Sequence, residues 1–156
     1  MNVPKSLLRA LSIKAACAVF AGVCVAQEKR VKMKDLPEAV QKTVNEQSKG
    51  ATIKGLSKEV EKGQTLYELE LSVNGHSKDI TMDATGNVVE VEEQVQIASL
   101  PEVVQTAIKQ NAGTAQIQMV ESVIKGGTLQ YYEAHIKKGL KKSEFKIGTD
   151  GKLVKD

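Results

Sequence analysis

Paired carboxylates are the most frequent chemistry-bearing feature of this 156-residue chain. Glu59 and Glu61, and again Glu68 and Glu70, stand two residues apart, which sets both members of a pair on one face of a strand. General acid–base work needs one such carboxyl in a perturbed environment, usually within a cleft. On a solvated strand the same spacing serves solubility and edge protection. The two histidines, His76 and His135, form neither an H-x-x-x-H nor an H-x-H pattern, so a metal site at either needs carboxylates brought from elsewhere. Both read as surface residues, and no metal is assigned to them. Asp83-Ala84-Thr85-Gly86-Asn87 is rich in oxygen but supplies a single carboxylate. Calcium takes about six or more oxygen ligands, often from several carboxylates. Turn chemistry, with Asp initiating and Gly at positive φ, accounts for the segment instead. There is no G-x-S-x-G elbow and no P-loop. The expectation is a non-enzyme without catalytic residues or cofactor.

Lys5, Arg9 and Lys14 precede an apolar run over residues 15–25, and the polar Gln27-Glu28-Lys29-Arg30 follows Ala26. A basic stretch, a short apolar core and small residues at Cys24 and Ala26 describe a secretory signal peptide over residues 1–26, cut between Ala26 and Gln27. The run is shorter than the roughly 20 residues of a bilayer span. Acylation at Cys24 would set the bulky Val23 where a small residue is wanted. A periplasmic or secreted protein without stable membrane insertion after cleavage is expected. Removing the leader leaves 19 basic against 19 acidic groups, so the +3 of the whole chain resides in the discarded segment. No global basic field remains to draw nucleic acid. Both cysteines, Cys17 and Cys24, leave with the leader, and with them any disulfide or thiolate chemistry. The only aromatic residues after Ala26 are Tyr67, Tyr131, Tyr132 and Phe145, too few for a stacking platform.

What positions these groups is written twice. Asp35-Leu36-Pro37-Glu38-Ala39-Val40-Gln41 returns as Ser99-Leu100-Pro101-Glu102-Val103-Val104-Gln105, shifted by 64 positions. Tyr67-Glu68 answers Tyr132-Glu133, and Asp83-Ala84-Thr85-Gly86 answers Gly148-Thr149-Asp150-Gly151. An internal repeat sets architecture first. It divides the exported chain into residues 27–95 and 96–156.

Each copy opens on a helix signal, with Asp35 and Ser99 as N-caps, glutamates three residues on, and Pro37 and Pro101 in the first turn. Leu36, Val40 and Val44 then fall at helical spacing, as do Leu100, Val104 and Ile108. Gly50 and Gly113 follow as terminators. Tyr67, Leu69, Leu71 and Val73 alternate with polar residues, and Tyr132, Ala134 and Ile136 do the same, a strand period. Asn74-Gly75 is a two-residue hairpin signal. A preceding strand, residues 52–62 and 115–125, has irregular parity and implies a bulge. Short final strands cover residues 88–91 and 153–154. The fold class expected is α+β: two tandem repeats, each an N-terminal helix packed on a four-stranded antiparallel β-meander. The face away from the helices carries charge: Glu68, Glu70 and Lys78 in one copy, Glu133, His135, Lys137 and Lys146 in the other.

The motifs Leu-Pro-x-x-Val at Leu36 and Leu100, the alternating strands from Tyr67 and Tyr132, and the glycine turns before Val88-Val89 and Leu153-Val154 together resemble the PepSY-like family of bacterial exported proteins. That family is related to peptidase propeptides and β-lactamase-inhibitor-like folds. The resemblance covers residues 31–95 and 96–156. It implies a helix on antiparallel sheet, an envelope location, and protein binding or protease modulation, and it supplies no catalytic residues.

Charge differs between the copies: residues 27–95 hold 10 basic and 13 acidic groups, and residues 96–156 hold 9 and 6. Lys137-Lys138-Gly139-Leu140-Lys141-Lys142 reads as a hairpin tip. Complementary charge of this kind speeds encounter and selects partners. The contact residues expected are Glu68, Glu70, Tyr131, His135, Lys137, Lys141 and Lys142, facing a protein or peptide partner in the cell envelope. Tyr131 belongs because Tyr132 takes the core phase, and an exposed tyrosine is a common interface anchor. The alternative is a small ligand or cation held in a cleft between the copies.

Overall fold

Val40 and Val44 lie on the helix α1, Glu38–Gln47, and Val104 and Ile108 on α2, Glu102–Ala112. All four are fully shielded from solvent in the computed structural model, which describes residues 28–155. The expected signal peptide, residues 1–26, and the expected cleavage point between Ala26 and Gln27 lie outside the described residues.

The helices begin later than expected. Asp35 and Ser99 end short 3-10 turns, Met33–Asp35 and Ile97–Ser99, and the N-cap positions are Pro37 and Pro101. Proline drives the residue before it out of the helical region, and Leu36 and Leu100 are extended accordingly, at ψ 151° and 159°. A capping box from Asp35 or Ser99 therefore cannot form. Gln41 and Gln105 act at the same place instead: each side-chain amide donates at 2.9 Å to the carbonyl of Leu36 or Leu100.

The strands are β1 (Lys29–Arg30), β2 (Thr52–Glu61), β3 (Gln64–Val73), β4 (His76–Asp83), β5 (Val88–Gln94), β6 (Gln116–Lys125), β7 (Thr128–Lys138), β8 (Lys141–Gly148) and β9 (Leu153–Val154). They form one nine-stranded antiparallel sheet in chain order. This corrects the expectation of two tandem helix-plus-four-strand units, although a mixed α+β composition stands. β5 runs on to Gln94, past the expected end at Val91, and pairs with β6 from Glu90↔Lys125 to Gln94↔Glu121. β1 adds a further strand beside β2. The physical reason is the edge strand: two separate meanders would leave the backbone groups of β5 and β6 unpaired, and joining them satisfies both.

Other local expectations hold. Asn74 and Gly75 take φ of 51° and 87° in the β3–β4 turn, and β2 bulges between Ile53 and Gly55. Leu69, Leu71, Ile80 and Met82 pack under α1, while Val120, Tyr132, Ala134 and Ile147 pack under α2. The register Ile80↔Val91 and Val91↔Ile124 carries the apolar face of the sheet from one cluster towards the other. Both helices thus cover the same side. Among the described residues, no helix lies on the opposite side.

Candidate functional site

Three neighbouring strands build the most concentrated polar group on the helix-free face. Tyr132 and Ala134 of β7 point into the core, so Tyr131, Glu133 and His135 point away from it. On β6, Val120 faces the core and Glu121 the other side. On β8, Ile147 faces the core, which turns Lys146 and Glu144 outward. The registers His135↔Glu144, Glu121↔Glu133 and Glu133↔Lys146 then decide which of these meet.

They converge on His135. Its Nε2 lies 2.9 Å from Glu121 Oε2 and 3.8 Å from Glu133 Oε1, and its Nδ1 lies 3.6 Å from Glu144 Oε2. Glu121 is buried, with 5% of its surface exposed, and its other oxygen accepts a hydrogen bond from Ser77 Oγ at 3.2 Å. The Glu121 hydrogen bond raises the His135 pKa above its ordinary value, against the opposing effect of burial. Burial, and then the nearby Glu144 charge, raise that of Glu133. An imidazole among three carboxylates can carry a proton or hold a cation. His135 and the carboxylates of Glu133 and Glu144 place their ligand atoms within 4.8 Å of one another.

Tyr131 stands beside this group. Its ring lies beneath two lysines, with Lys125 Nζ at 5.9 Å and Lys146 Nζ at 5.4 Å from the centroid. Lys125 is itself paired with Glu90 at 3.1 Å. Tyr131 is half-buried, and burial raises its phenol pKa.

The other expected contact residues are spread along the face. Glu68 and Glu70 lie on β3, four strands from β7 and so about 19 Å away at the usual strand spacing. Glu70 pairs with Arg30 at 2.7 Å, and Glu68 accepts from Ser57 Oγ at 3.3 Å. Lys137 sits directly opposite Lys142 near the β7–β8 turn, on the same face as His135. Lys141 pairs with Lys138 at the tip and belongs to the other parity. Between them Leu140 is 99% exposed. Lys78 departs from the expectation: it is opposite the buried Leu71, on the helix side, where it pairs with Glu93 at 3.3 Å. His76 is exposed in the β3–β4 hairpin. A cleft between the copies is replaced by the β5–β6 ladder. Two shallow hollows lie elsewhere, one along the outer side of α1 at Gln41 and Asn45, the other at the β1–β2 edge by Lys29 and Lys58.

Glu121 and Glu144 escaped the sequence reading. Glu144 lies on β8, where Phe145 and Ile147 are the apolar residues that mark a strand. For Glu121 a signal exists: one acid within Met119-Val120-Glu121-Ser122-Val123, on a strand whose two faces are both shielded, since Val120 and Val123 are 2% and 0% exposed.

The sequence profile of the family described as "Putative beta-lactamase-inhibitor-like, PepSY-like" matches residues 23–89 and 67–155. The chain belongs to the PepSY-like family. The motifs around Leu36-Pro37 and Leu100-Pro101 implied as much. Among solved structures, this PepSY-like chain is similar to a BLIP-like protein from Bacteroides fragilis, at 21% identity and TM-score 0.55, over 77% of this chain and 84% of that one. It is similar to a DUF2874 family protein from Bacteroides ovatus, at 18% identity and TM-score 0.59, over 77% and 85% of the two chains. A third likeness is to a Bacteroides eggerthii structure described as "putative periplasmic proteins", at 15% identity and TM-score 0.63, over 77% and 86%. These likenesses are of fold. No curated protein matches the PepSY-like chain in sequence.

Proposed function

We propose that this PepSY-like protein is a non-enzymatic binding module of the bacterial cell envelope, which holds a protein or peptide partner against the helix-free face of its sheet. The observation that carries the reading is the asymmetry of the sheet. Both helices cover one side, and the other presents rows of charge around a tyrosine set between two lysines. A solvated antiparallel face is ordinary. An aromatic anchor with charged pairs around it is the composition of a protein contact. The periplasmic description of the Bacteroides eggerthii neighbour and the signal-peptide pattern of residues 1–26 support the location. The inhibitor-like description of the family favours, as partner, an envelope or secreted peptidase or another enzyme whose activity docking modulates.

Site-specific photocrosslinking in envelope extract tests this. A crosslinker replacing Tyr131 is expected to capture a discrete protein, competed by unlabelled PepSY-like protein and weakened by Glu133→Lys. The same crosslinker at Lys42, exposed on α1, is expected to capture none. Equal capture from both positions, or capture insensitive to competitor, would overturn the reading.

A further inference from the structure

We infer that His135, Glu133 and Glu144 form a binding site for a divalent first-row transition ion, with zinc as the type case. The sequence offered no His-x-His or His-x-x-x-His spacing; strand parity sets Glu133 beside His135, and the pairing of β6, β7 and β8 adds Glu121 and Glu144. The donor set is mixed. It holds an imidazole nitrogen and two carboxylates whose ligand atoms lie within 4.8 Å of one another. Two donors at about 2.0–2.1 Å from a tetrahedral zinc stand about 3.3 Å apart. His135 Nδ1 and Glu144 Oε2 are 3.6 Å apart, so these two need little movement to share an ion, whereas Glu133 Oε1 stands nearer the other ring nitrogen, 3.8 Å from Nε2, and joins them by a rotation of its side chain.

Glu121 supplies the feature that separates this group from a chance gathering of acids. It is buried, anchored by Ser77, and hydrogen-bonded to His135 Nε2 at 2.9 Å. A carboxylate on one ring nitrogen fixes the tautomer and ring orientation and raises the basicity of the other nitrogen, the arrangement found behind metal-bound histidines. Glu121 therefore acts as a positioning residue that holds Nε2–H and leaves Nδ1 free for the ion. Three protein donors leave a further coordination position, on the side away from the core, for water or a partner's donor.

The second cluster of acids lacks these features. Glu28, Glu68 and Glu70 also approach one another, but they bring no nitrogen donor, and Arg30 already neutralises Glu70 at 2.7 Å. Calcium fits the His135 site poorly, because it takes about six to eight oxygen ligands. The inference stands independently of partner docking, since an ion could bind here with or without one.

Calorimetric titration of zinc chloride into chelator-stripped protein is the test, with long-range 15N NMR of the His135 ring. The expected result is one zinc per chain, weakened at least about tenfold by His135→Gln or Glu144→Gln, and about 10–100-fold by Glu121→Gln. His76→Gln should leave it unchanged. In the wild-type spectrum zinc should fix the Nε2–H tautomer and shift Nδ1. Absence of binding, equal binding by His135→Gln, or His135 resonances unmoved by zinc would each overturn the assignment. Displacement of zinc by an equal concentration of calcium would overturn the transition-ion class. The NMR readout uses the unmutated protein, so a variant that fails to fold does not leave the question undecided.

Discussion

The Thr43 hydroxyl donates at 2.7 Å to the carbonyl of Gly86, tying the middle of α1 to the turn between β4 and β5. Gly86 has φ of 81°, and a Cβ built there would lie 2.6 Å from the Ala39 carbonyl oxygen. The turn thus needs glycine for its conformation and again for its approach to the helix backbone. Gly86→Ala is expected to destabilise by about 1–3 kcal/mol, and Thr43→Val by about 1 kcal/mol. Gly63 shares the positive φ, at 80°, but nothing lies within 4 Å of its Cβ position. Gly63→Ala should therefore cost less. Urea midpoints at constant m-value measure all three, and equal losses for the two glycine variants would refute the close-approach argument.

The carboxylates facing His135 are Glu121 from β6, Glu133 from β7 and Glu144 from β8, with Lys146 beyond Glu133. The folded-state pKa of His135 is raised above its ordinary 6.5 by the Glu121 hydrogen bond. Its stabilising contribution is therefore fully present below about pH 6.5 and is lost as pH rises through the folded value. Glu133, raised by burial, acts in the same direction: its contribution falls as pH climbs from its ordinary 4.5 through the folded value. Metal-free urea melts from about pH 5 to about pH 8 should show stability declining, and His135→Gln should flatten the slope. An unchanged slope in that variant would contradict the assignment.

Tyr131 and Tyr132 are adjacent yet face opposite sides of β7. Tyr132 is 8% exposed in the core under α2, so Tyr132→Ala should cost about 3–5 kcal/mol, as for other core aromatics. Tyr131 sits between two lysines on the helix-free face, where each cation contact is worth about 0.5–1 kcal/mol. Tyr131→Ala should cost less than half as much as Tyr132→Ala. Paired denaturation curves check this, and a Tyr131 loss as large as that of Tyr132 would place it in the core.

Asp83 folds its own turn around its carboxylate. Oδ1 accepts from the Thr85 hydroxyl at 2.6 Å and from the backbone N–H groups of Thr85 and Asn87 at 2.8 and 3.0 Å. These bonds, the Thr85 hydroxyl foremost, hold the carboxyl pKa below its ordinary 3.8. The contribution to stability is present above that value and is lost as pH falls through the folded pKa. Carbon-13 NMR titration of Asp83 should give a midpoint below 3.8, and Thr85→Ala should raise it. A midpoint unmoved by that substitution would discount the hydroxyl.

Part of the candidate site was legible before the structure. The alternation through Tyr132 and Ala134 turned Tyr131, Glu133 and His135 to one face, because side-chain direction follows strand parity alone. What His135 touches was not legible. Its buried partner Glu121 is 14 residues away on another strand. Likewise Lys78 looked like part of the charged face, and its register opposite Leu71 sets it on the helix side.

By itself the sequence determined the helices through Val40, Val44, Val104 and Ile108, the alternating strands, and the turns at Asn74-Gly75 and Gly86. These follow from local periodicity and from the backbone freedom of single residues. The tertiary structure decided that β5 pairs with β6 in one sheet, and that Glu121 and Glu144 join Glu133 at His135. Both outcomes depend on strand register across distant segments. Register is chosen by the pairing of backbone edges and the joint burial of apolar faces, which no single strand specifies alone.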